Sequence, residues 1–229
     1  MKPLRDWDDL PDFMRTEEVR PYYDNLKKHE KELYLKRAFD VVAALILLVL
    51  LAPIMLVVAV WIKLDSPGPV FFRQTRITQY GKEFRIIKFR TMVNNADKMG
   101  SAVTVGNDSR ITKVGGIIRK YRIDEFPQLF NVLTGDMSFV GTRPEVKAYV
   151  DSYVDEWFAT LLLPSGITSE ASIQYKNEEI LLNKSRDVDS TYLNIILPEK
   201  MKWNLNYIEQ YTFIAEILLM VRTVIAVLH

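Results

Sequence analysis

Two adjacent carboxylates, Asp124 and Glu125, have the neighbours best suited to chemistry in this sequence. Three basic residues precede them: Arg119, Lys120 and Arg122. Apolar residues at the i, i+3, i+4, i+7 spacing of one helix face follow: Phe126, Leu129, Phe130 and Leu133. This spacing predicts a helix with the carboxylates in or just before its first turn, where Pro127 is tolerated because the first N–H groups lack intrahelical partners. The helix dipole favours ionised carboxylates there, and free N–H groups can receive an anion, so the segment suits phosphate chemistry.

Capping is the alternative interpretation, because acidic residues commonly precede amphipathic helices without any catalytic role. The basic residues on both sides favour the chemical interpretation over simple capping. On the far side the predicted helix ends at Gly135, a short strand is predicted over residues 137–140, and Gly141-Thr142-Arg143-Pro144 follows.

Composition limits the chemistry that the chain can perform. The formal net charge is +1, without the bulk positive field typical of nucleic-acid binders, so no nucleic-acid partner is expected. Cysteine is absent, and both histidines, His29 and His229, lie near the ends, which argues against thiol, zinc–cysteine and histidine-centred catalysis. Neither a P-loop nor a G-x-G-x-x-G loop is present. Catalysis is therefore expected to depend on carboxylates, lysines, arginines and a metal ion.

A membrane segment is predicted from Val41 to Ile62, which contains no charged or strongly polar residue. Its 22 residues would reach roughly 33 Å as a helix, enough to cross a hydrocarbon core. Pro53 interrupts its middle, and basic residues flank both ends in nearly equal number, without the bias of a spanning helix. We therefore predict a re-entrant helix over 41–63, broken at Pro53, with a single proline-kinked span as the alternative. Residues 1–40 are predicted to form a polar arm and an interfacial helix over 23–40, and residues 64–229 a cytoplasmic catalytic domain.

The catalytic domain begins with a predicted hairpin, Val70–Ile77 and Lys82–Thr91, around Tyr80-Gly81. Alternation in the second strand puts two apolar residues and two cations on one face: Phe84, Ile86, Lys88 and Arg90. A solvated strand end is the alternative explanation of the two cations. Residues 93–109 are predicted to form a mobile flap, and a helix is predicted from Pro144 to about Leu163. Tyr211 to Leu228 is apolar but carries Glu216 and Arg222, so we expect a buried or interfacial helix.

The stretch from Asp124 to Pro144 resembles the signature of the bacterial sugar transferases, the monotopic phosphoglycosyl transferases that load polyprenyl phosphate. The resembling pattern is Asp-Glu-x-x-Gln-Leu-x-Asn-Val-Leu-x-Gly-Asp-Met-Ser-x-Val-Gly-x-Arg-Pro, and the resemblance extends from about Lys36 to the C-terminus. It implies an irregular, helix-rich α/β fold with a re-entrant membrane hairpin, a small sheet and amphipathic helices on the membrane surface. The implied reaction moves a sugar-1-phosphate from a UDP-sugar to polyprenyl (undecaprenyl) phosphate and releases UMP, as the first membrane step of glycoconjugate or polysaccharide assembly.

The resemblance also implies residue roles and partners. Asp124 would be the nucleophile that forms an acyl-phosphate, and Glu125 would bind Mg²⁺. Substrate contacts would come from Lys88, Arg90, Arg119, Arg143 and Pro144. Asp136 is either a second metal contact or a turn residue. The expected partners are the UDP-sugar, polyprenyl phosphate and membrane lipid at the cytoplasmic face of the bacterial inner membrane, with a homodimer left open.

The sequence departs from the family pattern at two places and carries one competing motif. Ala52-Pro53 replaces the family's Ser-Pro, and Pro164-Ser165-Gly166-Ile167-Thr168 has one residue more than the usual Pro-Gly-Ile-Thr, which weakens analogy for sugar or base recognition there. Asp187-Val188-Asp189 resembles the metal-diphosphate motif of nucleotide-sugar glycosyltransferases, although a helix cap is the simpler interpretation. A glycosyltransferase using Asp187 and Asp189, and a non-catalytic membrane scaffold, are therefore the alternative functions.

Overall fold

The computed structural model describes residues 2–96, 108–176, 178–182, 185 and 187–228. The helices are α1 (Arg20–Lys28), α2 (Glu30–Asp65), α3 (Lys113–Lys120), α4 (Gln128–Thr134), α5 (Lys147–Val150), α6 (Glu170–Gln174), α7 (Glu178–Leu182), α8 (Val188–Thr191), α9 (Leu197–Glu209) and α10 (Phe213–Leu228). The strands are β1 (Phe71–Ile77), β2 (Glu83–Phe89), β3 (Met137–Val140) and β4 (Ser165–Thr168). The mixed, helix-rich fold with small sheets is as predicted, whereas residues 97–107 of the predicted flap lie outside the described residues.

Both strand pairs are short and two-stranded in the described part of the chain. Strands β1 and β2 pair antiparallel, with Phe72 opposite Lys88, and Tyr80 and Gly81 in the turn both have positive φ (59° and 74°), so the predicted hairpin is confirmed. Strands β3 and β4 pair parallel, with Val140 opposite Thr168. The loop after β3 therefore lies beside the segment that carries the extra residue.

Helix α2 is a single 36-residue helix with Pro53 inside its bounds. Its most apolar 18-residue window has a mean hydropathy of 3.2 and is only 11% buried, so the helix is long and apolar enough to cross a membrane. The division between α1 and α2 falls at His29. The re-entrant path and the division into arm, membrane segment and catalytic domain stay predictions.

One face of α2 packs against the rest of the chain along most of its apolar length. Ala44 is fully buried in a cluster built from β2, α4 and β3. Val58 and Ile62 are buried in a second cluster with the end of β2 and α3. The opposite face is exposed and apolar, with Val49 75% and Leu64 81% accessible.

The N-terminal segment is more deeply packed than its composition indicates. Two short 3-10 turns, Trp7–Asp9 and Asp12–Met14, precede α1, and Leu4 and Met14 are completely buried in the largest core cluster. Helix α1 buries Leu26 in the same cluster. The apolar side of α1 therefore covers the protein core, and the interfacial helix over 23–40 stays a prediction.

The prediction of a long helix after Pro144 is wrong. Helix α5 has four residues, and the backbone then changes to i to i+3 bonding, with Ser152 N–H donating to the Tyr149 carbonyl and Tyr153 N–H to that of Val150. A 3-10 run follows over Asp155–Leu161. The change lets Tyr149, Val150 and Tyr153 all enter the core.

The C-terminal helix α10 has one buried and one exposed face. Glu216 and Leu219 are buried, whereas Ile214, Leu218 and Val221 are 72%, 59% and 54% exposed. Their spacing of i, i+4 and i+7 makes a continuous apolar stripe. This arrangement agrees with the expectation of a buried or interfacial helix for this segment.

Candidate active site

The acidic pair lies in a 3-10 turn, Ile123–Glu125, between α3 and α4. Arg122 adopts a left-handed conformation (φ 55°), which turns the chain sharply after α3. Pro127 is the N-cap of α4 and Gly135 (φ 86°) its C-cap, so the predicted helix position is confirmed. The turn buries both carboxylates to 8% exposure at the start of α4.

Basic groups from two other elements converge on one oxygen of Glu125. Lys88 Nζ, on β2, lies 2.9 Å from Glu125 Oε1, and Arg143 Nη2, after β3, lies 2.8 Å from the same atom. Arg122 Nη1 is 3.8 Å away. Lys88 lies on the face of β2 that carries Phe84 and Ile86 into the core, as the strand alternation predicts, and the tertiary structure places it beside the acidic pair.

The two neighbouring carboxylates have opposite pKa shifts. Burial raises the pKa of Asp124, and although Lys88 opposes this rise, the charge of Glu125 adds to it. Burial would also raise the pKa of Glu125, but Arg143 and Lys88 overcome that effect and hold it well below the usual range. Glu125 in turn raises the pKa of Arg143. Glu125 is thus the fixed anion of the site, and Asp124 is a carboxylate in a less favourable environment for charge.

A cleft of about 1070 Å³ opens above this pair. Among the described residues eleven basic side chains line it: Arg73, Arg76, Lys88, Arg90, Arg110, Arg119, Lys120, Arg122, Arg143, Lys176 and Lys200. Four carboxylates line it as well: Asp124, Glu125, Glu145 and Glu178. Because the whole chain has a formal charge of only +1, the positive charge is concentrated in the cleft, where it suits an anionic ligand.

The predicted substrate residues all line this cleft, but Arg90 is used differently from the others. Arg119, Arg143 and Pro144 border it together with Lys88. The Arg90 guanidinium donates to the carbonyls of Pro67 and Ser66 at 2.8 and 2.7 Å, and also to the Ser66 hydroxyl at 2.9 Å. Arg90 therefore fastens the end of β2 to the segment that leaves α2.

The remaining acidic candidates have structural partners. Asp187 caps α8 by accepting a bond from Ser190 N–H at 3.0 Å, and Asp189 Oδ1 accepts one from the Tyr149 hydroxyl at 2.6 Å. Asp136 accepts from Lys82 at 2.9 Å and from the Thr134 hydroxyl at 2.8 Å. These contacts agree with capping for Asp187 and with a turn role for Asp136.

The donor set available to a metal ion is small. No group of three or more acidic, histidine or cysteine side chains that could hold a metal occurs within the described ranges. Asp124 and Glu125 offer adjacent carboxylates beside the cationic cleft. Mg²⁺ commonly binds through one or two carboxylates and completes its shell with substrate phosphates and water, so the pair fits a Mg²⁺ ion that arrives with a diphosphate.

Several further cleft residues escaped the sequence-based prediction, among them Arg76, Glu145, Tyr149, Tyr192 and Lys200. They come from β1, the segment after Arg143, α5, the π-helical turn Tyr192–Ile196 and α9. The position of Glu145, directly after Arg143-Pro144, was the one local signal. The others are brought together only by tertiary contacts.

Sequence comparisons give the relationships of the chain. Residues 31–229 match the family model described as bacterial sugar transferase. The chain is 37% identical over 198 residues to the UDP-N-acetylgalactosamine-undecaprenyl-phosphate N-acetylgalactosaminephosphotransferase of Aeromonas hydrophila, covering 85% of this chain and 44% of that protein. It is 37% identical over 199 residues to the UDP-glucose:undecaprenyl-phosphate glucose-1-phosphate transferase of Escherichia coli K12, covering 85% and 40% respectively. The protein of the latter name in Caulobacter vibrioides is 46% identical over 142 residues, covering 61% and 53%. The chain thus spans about half or less of the length of these relatives.

Proposed function

The chain belongs to the bacterial sugar transferase family, and from that premise we propose that it transfers a sugar-1-phosphate from a UDP-sugar to polyprenyl phosphate. The proposed enzyme is a phosphoglycosyl transferase that begins glycoconjugate or polysaccharide assembly at a membrane. One observation carries the proposal: buried Asp124 lies beside Glu125, which Lys88 and Arg143 hold in place at a strongly basic cleft. The relatives' names include both glucose and N-acetylgalactosamine donors, so the transferred sugar is left open.

In the first step an oxygen of the Asp124 carboxylate attacks the phosphorus that carries the sugar. A bond forms between that oxygen and the phosphorus, the phosphoanhydride bond breaks, and UMP leaves with the bonding electrons. Cationic side chains along the cleft, among them Lys88, Arg119 and Arg143, offset the negative charge of the diphosphate. Burial of Asp124 leaves its carboxylate poorly solvated, which favours attack once the charge is formed.

In the second step a phosphate oxygen of the polyprenyl phosphate attacks the phosphorus held on Asp124. The bond between phosphorus and Asp124 breaks, the polyprenyl diphosphate sugar forms, and the carboxylate is regenerated. The covalent intermediate lets an aqueous donor and a lipid acceptor use the same site in succession. Arg90 acts as a positioning residue here, because it fixes the end of β2 to the exit of α2.

A Mg²⁺ ion is part of the proposed reaction. Glu125 would hold it, and it would supply neutralisation of the diphosphate charge. Glu125 is suited to this role because its pKa lies well below the usual range and it stays ionised. Lys88 and Arg143 keep its carboxylate oriented toward the cleft.

We further propose a monotopic placement at the cytoplasmic face of the inner membrane, with α2 re-entering rather than crossing. The contacts at the two ends of α2 support it. Near its start, Lys36 Nζ donates to the Val140 carbonyl at 2.9 Å and Asp40 Oδ1 accepts from Phe139 N–H at 3.3 Å. At its end, Asp65 Oδ2 accepts from Val114 N–H at 3.2 Å. Both ends therefore contact the domain that carries the active site.

The decisive experiment is intact-protein mass spectrometry after incubation with UDP-sugars and Mg²⁺, without lipid acceptor. We expect a mass increase of one phospho-sugar in the wild type and none in Asp124→Asn. Asp136→Asn is the matched control, since it alters an aspartate outside the cleft lining whose carboxylate contacts Lys82 and the Thr134 hydroxyl, and it should keep the adduct. An adduct of normal yield in Asp124→Asn would overturn the assignment of the nucleophile.

The competing glycosyltransferase is tested in the same assay. That enzyme would transfer the sugar without its phosphate, release UDP and need Asp187. Asp187 and Asp189 are exposed, and their observed partners are Ser190 and Tyr149. We expect Asp187→Ala to form the adduct and release UMP as the wild type does, whereas UDP release abolished by Asp187→Ala would favour the alternative.

A further inference from the structure

The cleft has two ends of different chemistry. At one end Lys88, Arg122 and Arg143 surround the acidic pair and leave excess positive charge. At the other end the charges balance, because Arg76 and Lys200 lie with Glu145 and Glu178. The first end suits phosphate groups, and the second suits a polar but uncharged group.

The second end is a buried hydrogen-bonded wall formed by Glu145, Tyr192 and Lys200. The Tyr192 hydroxyl donates to Glu145 Oε1 at 2.5 Å and accepts from Lys200 Nζ at 3.1 Å. Lys200 Nζ also donates to Glu178 Oε2 at 3.0 Å. All three wall side chains line the cleft, although only 3–7% of their surface is accessible.

Aromatic rings adjoin this wall. The Tyr149 and Tyr192 rings are 5.0 Å apart with planes inclined by 31°, and the Lys200 ammonium lies 5.0 Å from the Tyr192 ring centre. Such a surface offers the Glu145 carboxylate as an acceptor, the second lone pair of the Tyr192 hydroxyl oxygen and the third N–H of the Lys200 ammonium, all at fixed positions.

We propose that this wall binds the hexosyl group of the donor and selects among sugars by hydrogen bonds to its ring hydroxyls. A hexose presents several hydroxyls that both donate and accept, which suits a mixed set of carboxylate, hydroxyl and ammonium groups. Buried polar groups of this kind discriminate strongly, because a sugar that lacks a matching hydroxyl leaves them without a partner. The inference rests on the proposed function and adds the part of the site that recognises the sugar.

Position along the chain supports the hexosyl group over the ribose, the other polyol of a UDP-sugar. Glu145 is two residues after Arg143, which bonds to Glu125 beside the proposed nucleophile. The phosphorus attacked by Asp124 carries the hexosyl group directly, whereas the ribose is one phosphate further away. The wall that begins at Glu145 therefore adjoins the sugar side of the diphosphate.

Tyr192→Phe and Lys200→Met test the inference separately. The first removes one hydroxyl and keeps the ring, and the second keeps most of the side-chain volume and removes the charge. For each variant, kcat/KM is measured in full-length protein with UDP-glucose, UDP-galactose, UDP-N-acetylglucosamine and UDP-N-acetylgalactosamine, and the inhibition constant of UMP is measured beside it. We expect the ratio of kcat/KM between the preferred donor and its C4 epimer to change by about tenfold or more, consistent with lost hydroxyl recognition, while inhibition by UMP is unchanged.

Tyr22→Phe is the matched control, because it removes another tyrosine hydroxyl that donates to a glutamate, Glu156, at 2.8 Å. Neither Tyr22 nor Glu156 lines the cleft. It should leave the donor ratio unchanged. Thermal unfolding of each variant shows whether the fold is intact, and the two wall variants provide independent tests if one does not fold.

Two outcomes overturn the inference. Weaker inhibition by UMP in parallel with the donor effects would place the ribose at the wall, and an equal loss with all four donors would make the wall a structural feature. Failure of the proposed function is distinct from both, since it would appear as no phospho-sugar transfer from any donor by the wild type.

Discussion

At the scale of single residues, Asp124 and Glu125 are covalent neighbours with different electrostatic environments. Glu125 Oε1 accepts hydrogen bonds from Lys88 and Arg143, and their positive charges lower the pKa of Glu125 despite its burial. The Asp124 carboxyl is equally buried, but the same cations only partly offset burial and the negative charge of Glu125, so its pKa rises. Local environment thus separates two similar side chains into a permanent anion and a carboxylate whose ionisation is costly, a division that suits an ion-binding residue and a nucleophile.

Removing the Glu125 charge should destabilise the protein strongly. Glu125→Gln leaves the partly buried Lys88 and Arg143 without their buried anion, and a lost partner of this kind costs on the order of 3 kcal/mol. Denaturant unfolding of the detergent-solubilised protein measures the change. Glu199→Gln, which disrupts the exposed pair with Lys202, is the control and should leave the stability unchanged. Equal stabilities of the two variants would contradict a stabilising role for the Glu125 cluster.

Neutralising Asp124 should instead stabilise the protein at neutral pH. Because the folded state raises the pKa of Asp124, stability is lost as pH rises from the ordinary aspartate value through the raised one, and the loss persists above it. Asp124→Asn lacks this titration, so its Tm should exceed that of the wild type at pH 8, by about 2–4 °C for each kcal/mol relieved. The difference should shrink as the pH is lowered toward the ordinary aspartate pKa.

The control for this pH series is Asp155→Asn, an exposed aspartate at the start of a 3-10 run. It should follow the wild type at every pH. A Tm of Asp124→Asn below that of the wild type at pH 8 would contradict the electrostatic description of Asp124.

At the scale of elements, close contact between α3 and the end of β2 positions the cationic strand. Thr112 N–H, at the N-cap of α3, donates to the Thr91 carbonyl at 3.0 Å, just beyond β2. Gly115 is buried at this contact, and a Cβ there would lie 2.0 Å from the Thr91 carbonyl oxygen. The absence of a side chain at this position is therefore required by packing between the two elements.

Adjacent glycines of α3 give a matched pair of variants. Gly115→Ala should destabilise the protein by about 1–3 kcal/mol, because the backbone of Thr91 must move to admit the methyl group. Gly116→Ala meets only Ile111 Cγ2 at 3.9 Å and should gain up to about 1 kcal/mol from helix propensity. Thermal unfolding of both variants measures the difference, and a Gly115→Ala variant as stable as Gly116→Ala would show that the two elements are not in close contact.

At the scale of the whole molecule, two helices carry large exposed apolar surfaces. The exposed face of α2 and the stripe on α10 present large apolar side chains, and buried Lys36 joins these helices through Glu216 at 2.7 Å. In a re-entrant placement, the apolar surfaces of both helices would contact the membrane leaflet that adjoins the active-site domain. A spanning α2 would have to detach one end from its contacts at Val140 or Val114.

Cysteine labelling can determine the path of α2 directly, since the chain contains no cysteine of its own. Single cysteines replacing Tyr34 and Leu64, which are 49% and 81% exposed, should both react with a water-soluble maleimide in inverted inner-membrane vesicles. Both should be protected in right-side-out spheroplasts. A cysteine replacing Val49, which is 75% exposed on the apolar face of α2, is the control and should be protected in both. Labelling of the two end positions from opposite sides would establish a spanning helix.

Local sequence determined the features that depend on neighbouring residues. The alternation in β2, the turn at Tyr80-Gly81, the start of α4 after Pro127 and the apolar length of α2 were all predicted, because periodicity and backbone preferences act over a few residues. The acidic pair could be identified for the same reason. Its nearest basic residues in sequence were visible as well, since they lie within six residues of it.

Only the tertiary structure decided which groups meet across the chain. Lys88 and Arg143 are 37 and 18 residues from Glu125, and their convergence, which sets the opposite pKa shifts of the pair, has no local signal. Arg90 is held by the segment after α2, and the three residues of the wall come from three separate segments. The N-terminal arm enters the core for the same physical reason: burial and charge pairing depend on packing between distant segments, which local periodicity does not encode.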